Sequence, residues 1–249
     1  LTFRIKDIIG EKHMEGLINI RSKDAFKVKN KSQTKAEMVF YGDIGPWEDW
    51  GDISANLVDR ELKKLPETVN ELDVRINSGG GDVFEGYTIF NRLKQHKAEV
   101  TVYIDGLAAS IASIIAMAGD KIVMGEGALM MIHKPWTWAR GDSNELESTI
   151  ERLLDIEEQL VNTYKKKTGL DRSELKAMLA SETWMDGDQA LEKGFVTELF
   201  QSEESIAASA VDKKWIKRRP NIKDGNVIAK EKISQFQNDI QKVLARSKT

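Results

Sequence analysis

Residues 72–119 read LDVRINSGGGDVFEGYTIFNRLKQHKAEVTVYIDGLAASIASIIAMAG, and their pattern decides the fold class. Leu72, Val74 and Ile76 alternate as the apolar positions of a half-buried strand do, and a glycine run, Gly79–Gly81, follows at once. From Val83 to His96 the period lengthens, with Phe84, Tyr87, Phe90 and Leu93 at helical spacing. Val100, Val102 and Ile104 then alternate again. After this strand, helix, strand series come DGLAA, read as a small-residue turn, and an apolar helix that opens at Ser110. Two further short strands are expected in KIVM and ALMMI, ending at Met124 and Ile132. Such alternation argues for an α/β fold with functional residues at the carboxyl ends of strands. Ser78–Gly81, Ser110 and His133 all occupy such places.

Outward from this segment, AEMVFYGDI starts a strand at Ala36 that ends in the breakers Gly42 to Pro46, and the domain is expected to begin there. Residues 1–35 are Lys-rich and weakly patterned, an N-terminal extension. Ile53 to Leu65 reads as a helix. Asp142 with Glu145 forms a capping box that opens a long helix, ending near Lys167 with Gly169 as C-cap. Its apolar positions are Leu146, Ile150, Leu153, Leu154, Leu160, Val161 and Tyr164. A second capping box, Asp171 with Glu174, opens a helix to about Ala180. TWMDGDQALEKGFVTELF then reads as a short strand, a helix stopped at Gly194 and a last strand. Residues 36–200 thus form the domain, and 201–249 a polar, basic tail with an amphipathic pattern at Ile233, Phe236, Ile240 and Val243.

A chain of 249 residues, 41% hydrophobic and 31% charged, suits one soluble domain with appended segments. Cysteine is absent, which excludes disulfides, Cys-bound zinc and thiol nucleophiles and suits a cytoplasmic setting. A net charge of -3 gives no overall attraction to nucleic acid or anionic lipid, so neither partner is expected; the basic run Lys213 to Arg219 reads as a solvated tail. Charges interrupt every apolar run of the N-terminal segment, leaving no signal-peptide core, and Ile111 to Ala118 is too short to span a bilayer.

Three histidines can serve as a base. His13 lies in the extension and His96 at the polar end of a helix. His133 ends an apolar strand and precedes Lys134-Pro135, so its imidazole can project into a cleft or be held as a structural histidine. Ser110 opens a helix, where its oxygen meets unpaired backbone N–H groups and the positive end of the helix dipole. An ordinary N-cap serine needs the same place. The glycines after Ser78 let bare backbone approach a substrate carbonyl and offer oxyanion-binding N–H groups. A phosphate loop fits less well, since neither Gly-Lys-Ser/Thr nor G-x-G-x-x-G spacing is present. A plain tight turn also fits.

INSGGGDVFEGYTIFNRL, YIDGLAASIASIIAMAG, MMIHKPW and TWMDGDQALEKGFV resemble, in order and spacing, the proteolytic subunit family of Clp protease, most of all its phage-encoded head-maturation members. The resemblance covers about residues 36–200. It implies a crotonase-like α/β fold, a repeated β-β-α superhelical core with a protruding long helix, and a homo-oligomeric ring of stacked subunits. It implies a serine endopeptidase that needs no cofactor or metal and acts on polypeptides, phage scaffold or capsid protein among them. Carried over by position, Ser110 is the nucleophile, His133 the base, and Gly81 and Ile111, with Gly80 adjacent, the oxyanion donors. The triad acid falls on Glu182, where the family has aspartate, and Asp186 competes with it. The family's Ser-Pro-Gly-Gly is Ser78-Gly79-Gly80-Gly81 here, and no docking feature for an ATPase partner is traceable.

Three alternatives stand beside this reading. An acyl-CoA hydratase or isomerase shares glycine-lined oxyanion holes but leaves the Ser110–His133 pair without a role. A Ser-Lys dyad peptidase would recruit Lys134. An inert structural ring or capsid-associated module would keep the fold without the chemistry. Trp47 and Trp50 are expected to pack on the domain, while Trp136 and Trp138 either line a substrate channel or pack on the long helix.

Overall fold

The computed structural model describes residues 25–200. Expectations that fall on residues 1–24 and 201–249, including His13, the basic run and the amphipathic tail pattern, lie outside the described residues.

The strands are β1 (Phe26–Asn30), β2 (Lys35–Phe40), β3 (Glu71–Ser78), β4 (Glu99–Ala109), β5 (Lys121–Met124), β6 (Leu129–Ile132), β7 (Thr183–Met185) and β8 (Glu198–Leu199). The helices are α1 (Ala55–Leu62), α2 (Val83–Lys94), α3 (Ile111–Ala116), α4 (Ser143–Thr168), α5 (Arg172–Ala180) and α6 (Gly187–Glu192). The sheet runs β1-β2-β3-β4-β5-β8, parallel from β2 onward, with β1 antiparallel to β2; β6 adds in parallel to β4 and β7 adds antiparallel to β6. This is the mixed α/β architecture expected. Leu72, Val74, Ile76, Val100, Val102 and Ile104 all lie buried while the residues between them are half-buried or exposed, the alternation of strands that turn one face to the core.

The sheet starts ahead of residue 36. In β1 Phe26 and Val28 pack against the core while Lys27 and Lys29 alternate with them, and the Phe26 ring meets Phe40 edge-on at 5.2 Å. An edge strand carrying lysines on its solvent face looks like unpatterned basic sequence.

DGLAA is not a turn. β4 stays extended to Ala109 because it changes partner: Thr101–Ile104 pair with β5, and Leu107–Ala109 with β6. The sheet forks at Asp105 and Gly106, and a ladder supplied from elsewhere in the chain outweighs the weak strand propensity of small residues.

α4 has the expected capping box and left-handed Gly169 cap, but its apolar positions divide. Leu160, Val161 and Tyr164 join the core, whereas Leu146, Ile150 and Leu154 are exposed. Each core member contributes about 1.5–3 kcal/mol by leaving water. Asp171 precedes α5 but makes no side-chain capping bond, contrary to the expected box. Trp47 and Trp50 are exposed rather than packed, in and beside a short 3-10 turn at Glu48–Trp50. Among the described residues no helix is long and apolar enough to cross a membrane.

Candidate active site

β3, β4 and β6 deliver three chain reversals to one place. Beyond β3, the buried Ser78 hydroxyl accepts the Gly80 N–H at 3.1 Å. Ile44 then pins the loop on both sides of Gly81: its N–H donates to the Gly80 carbonyl at 2.8 Å and its carbonyl accepts the Asp82 N–H at 2.8 Å. Asp82 in turn caps α2 through the Phe84 and Glu85 N–H groups. Only glycine fits here. Gly80 has φ 97° and Gly81 φ 144°, and a Cβ on Gly81 would sit 1.9 Å from the Ile44 oxygen. A Cβ on Gly80 would lie 2.7 Å from the Ser110 Cβ and 3.1 Å from the Ile111 nitrogen. The bare glycine backbone therefore lies directly over the junction of Ser110 and Ile111.

At that junction Ser110 has φ 55° and ψ -128°, outside the ordinary regions for an L-residue. Its N–H is tied to the Met131 carbonyl at 2.9 Å, and its hydroxyl makes no capping bond. The N-cap reading of this serine therefore fails. Its Oγ lies 2.8 Å from His133 Nε2 instead. With the imidazole proton on Nδ1, Nε2 accepts from the serine hydroxyl, the geometry for proton removal.

His133 follows β6 directly and is half buried. Burial pushes its pKa below the ordinary histidine value, and the Glu182 carboxylate raises it in part. The ring is then neutral near pH 7, as a base must be.

Glu182 reaches His133 by charge only. Among the described residues no hydrogen bond joins the two, and Glu182 Oε1 accepts the Trp184 indole N–H at 3.2 Å. Its backbone sits at φ 49°, between the end of α5 and β7. Asp186 caps α6 in a reciprocal box with Gln189, a structural task that occupies its carboxylate. Lys134 is likewise committed: its Nζ lies 3.1 Å from the buried Glu157 of α4. That leaves the Ser-Lys alternative without a free base.

One feature was not read from sequence, and a second only in part. Ser113 Oγ donates to the Ser110 carbonyl at 2.5 Å and lies 2.8 Å from the Tyr164 hydroxyl. A lone hydroxyl inside the apolar IASIIA, three residues after Ser110, was the available signal. Beside Gly81 opens a cleft of about 1480 Å³ that Trp47, Phe84, Trp136 and Trp138 line together with α4. Trp136 and Trp138 thus belong to the cleft wall.

Known proteins resemble the chain over most of the described residues. Residues 26–203 match the family model described as Clp protease. The chain is 29% identical over 152 residues to ATP-dependent Clp protease proteolytic subunit 2 of Bacillus licheniformis, covering 59% of this chain and 80% of that one. It is 30% identical over 131 residues to the ATP-dependent Clp protease proteolytic subunit of Deinococcus radiodurans, covering 52% and 64%. The Porphyromonas gingivalis subunit of the same description is 26% identical over 157 residues, covering 60% and 69%. With the match beginning at the first residues of β1 and running through every element described, the chain belongs to the Clp protease family.

Proposed function

We propose that this chain is a serine endopeptidase in which Ser110 attacks a peptide carbonyl, His133 takes its proton, and the Gly81 and Ile111 N–H groups hold the oxyanion, with Gly80 shaping the hole. Glu182 stabilises the imidazolium that forms. The observation that carries the reading is the 2.8 Å contact of Ser110 Oγ with His133 Nε2, made by a serine whose hydroxyl caps nothing. Attack gives a tetrahedral adduct; His133 then protonates the leaving amine, and water releases the acyl-enzyme by the same steps in reverse. A fluorophosphonate probe tests it. Label mapped to Ser110 is the expected result, and an unlabelled folded protein would favour the inert module.

The acid limb of activity has a defined direction. Because burial dominates and lowers the His133 pKa, the acid limb of kcat/KM should have its midpoint below the ordinary histidine value of about 6.5 and level off at higher pH. A titration midpoint above 6.5 in the free enzyme would contradict this environment.

The same reading extends to a β-β-α superhelical core with α4 protruding, to stacked rings, and to cleavage of phage scaffold or capsid protein in the cytoplasm. Leu146, Ile150 and Leu154 support the assembly, since exposed apolar side chains along one helix need a second copy to cover them. Ile150→Asp with Leu154→Asp should shift the protein to smaller species in sedimentation and lower its activity. An active monomer in the unmodified protein would remove this part. Mass spectrometry after incubation with a phage capsid or scaffold protein checks the substrate class.

A further inference from the structure

The carbonyl of Ser110 and the N–H of Ile111 are the two ends of one peptide plane. If Ile111 donates to the oxyanion, whatever holds that carbonyl also aims the donor.

The carbonyl is held from inside the core. It accepts the Ser113 N–H at 3.1 Å and the Ser113 hydroxyl at 2.5 Å. A carbonyl cannot donate, so the Ser113 proton must point at it, and Ser113 Oγ is left to accept from the Tyr164 hydroxyl 2.8 Å away. The direction of the chain is therefore determined: Tyr164 O–H to Ser113 O–H to Ser110 C=O. Ser113 is fully buried and Tyr164 is 1% exposed, so no water competes. Burial also drives the Tyr164 pKa far up, so the phenol keeps the proton that it must donate. Its ring is fixed against Phe195, centroids 5.5 Å apart.

Two effects on Ile111 follow. Bonds accepted at the carbonyl polarise the amide and make its N–H a stronger donor, more so when the bonds form a chain in a dry interior. They also resist rotation of the peptide plane, which Ser110 alone, at φ 55°, does not hold in a low-energy well.

We propose that Ser113 and Tyr164 are positioning residues for the oxyanion hole, a two-hydroxyl relay from helix α4 that locks and polarises the Ser110–Ile111 peptide. The inference rests on the peptidase reading. It predicts a loss of transition-state binding, with ground-state binding kept.

The test uses the full-length protein and its Ser113→Ala, Tyr164→Phe and doubly substituted forms. Each is assayed for fluorophosphonate labelling, kcat, KM on a fluorogenic peptide, affinity for a peptide boronate, and melting temperature. Ser113→Ala should lower kcat about 10–100-fold, less than outright loss of an oxyanion donor, with KM within about twofold. Boronate affinity should fall by the same factor. Tyr164→Phe should give a smaller loss of the same kind, and none when Ser113 is already alanine. If Ser113→Ala does not fold, Tyr164→Phe, which keeps the ring packing, decides alone. Unchanged kcat and boronate affinity overturn the inference, as does a lowered melting temperature with the kinetics of the folded protein intact. Losses that add in the double form also overturn it. An unlabelled wild type overturns the peptidase reading itself, whereas a labelled wild type with unaffected variants overturns the relay alone.

Discussion

Ser110→Ala should abolish peptide hydrolysis, with a fall in kcat of roughly 10⁶-fold, and leave the protein folded. Loss of the attacking oxygen removes the acyl-enzyme route altogether, and what remains is the catalysis that an oxyanion hole and binding give unaided. The structural cost is small because the hydroxyl serves no cap and, among the described residues, hydrogen-bonds to His133 alone. Alanine fits where the serine Cβ already lies beside Gly80. A change in stability within about 1 kcal/mol is expected, read as a near-constant melting temperature. Activity near wild type in the alanine variant would reject Ser110 as nucleophile, whatever its geometry.

Glu182→Gln should be the second most damaging change, lowering kcat about 10–10³-fold, the size of a nearby opposite charge acting without a hydrogen bond, with little loss of stability. The carboxylate is the charge that raises the His133 pKa against the stronger opposing effect of burial. Glutamine removes that charge, so the imidazolium formed during attack loses its counterion. The sign has a second consequence: without the carboxylate the His133 pKa drops further, and the acid limb of kcat/KM moves to lower pH. Asp186→Ala should behave differently. It deletes one half of the α6 capping box and costs about 1 kcal/mol of stability with turnover retained. Parallel turnover, pH and melting measurements on the two variants separate the roles. An Asp186→Ala protein that is stable and dead, beside an active Glu182→Gln, would exchange the assignments.

The parts of this fold that were legible in sequence are those whose signal is local. Alternation in β3 and β4, helical spacing in α2, the glycine run and the box at Asp142 each lie within a few residues. Ser110 and His133 stood out because strand ends preceded both. What escaped depends on contacts far along the chain. The last residues of β4 are strand because β6 on one side and Ser78 of β3 on the other pair with them. β1 gains its identity from Phe40 and β2. The division of α4 into a core-facing end and a bare one follows from where the domain stops, which periodicity does not encode. The relay through Ser113 was hidden for the same reason, since its partner is 51 residues away.

Ser110 and Glu182 are the only non-glycine residues at positive φ among those described, and both stand where chemistry is assigned. Such conformations cost of order 1–3 kcal/mol each, and glycine would adopt them freely. Thermostability and turnover therefore pull these two positions in opposite directions. In a lineage freed from the need to cut peptides, drift toward glycine at either site would relieve the backbone while preserving the fold. The side chains kept at these positions in a descendant gene are accordingly a record of whether its product is still selected as an enzyme.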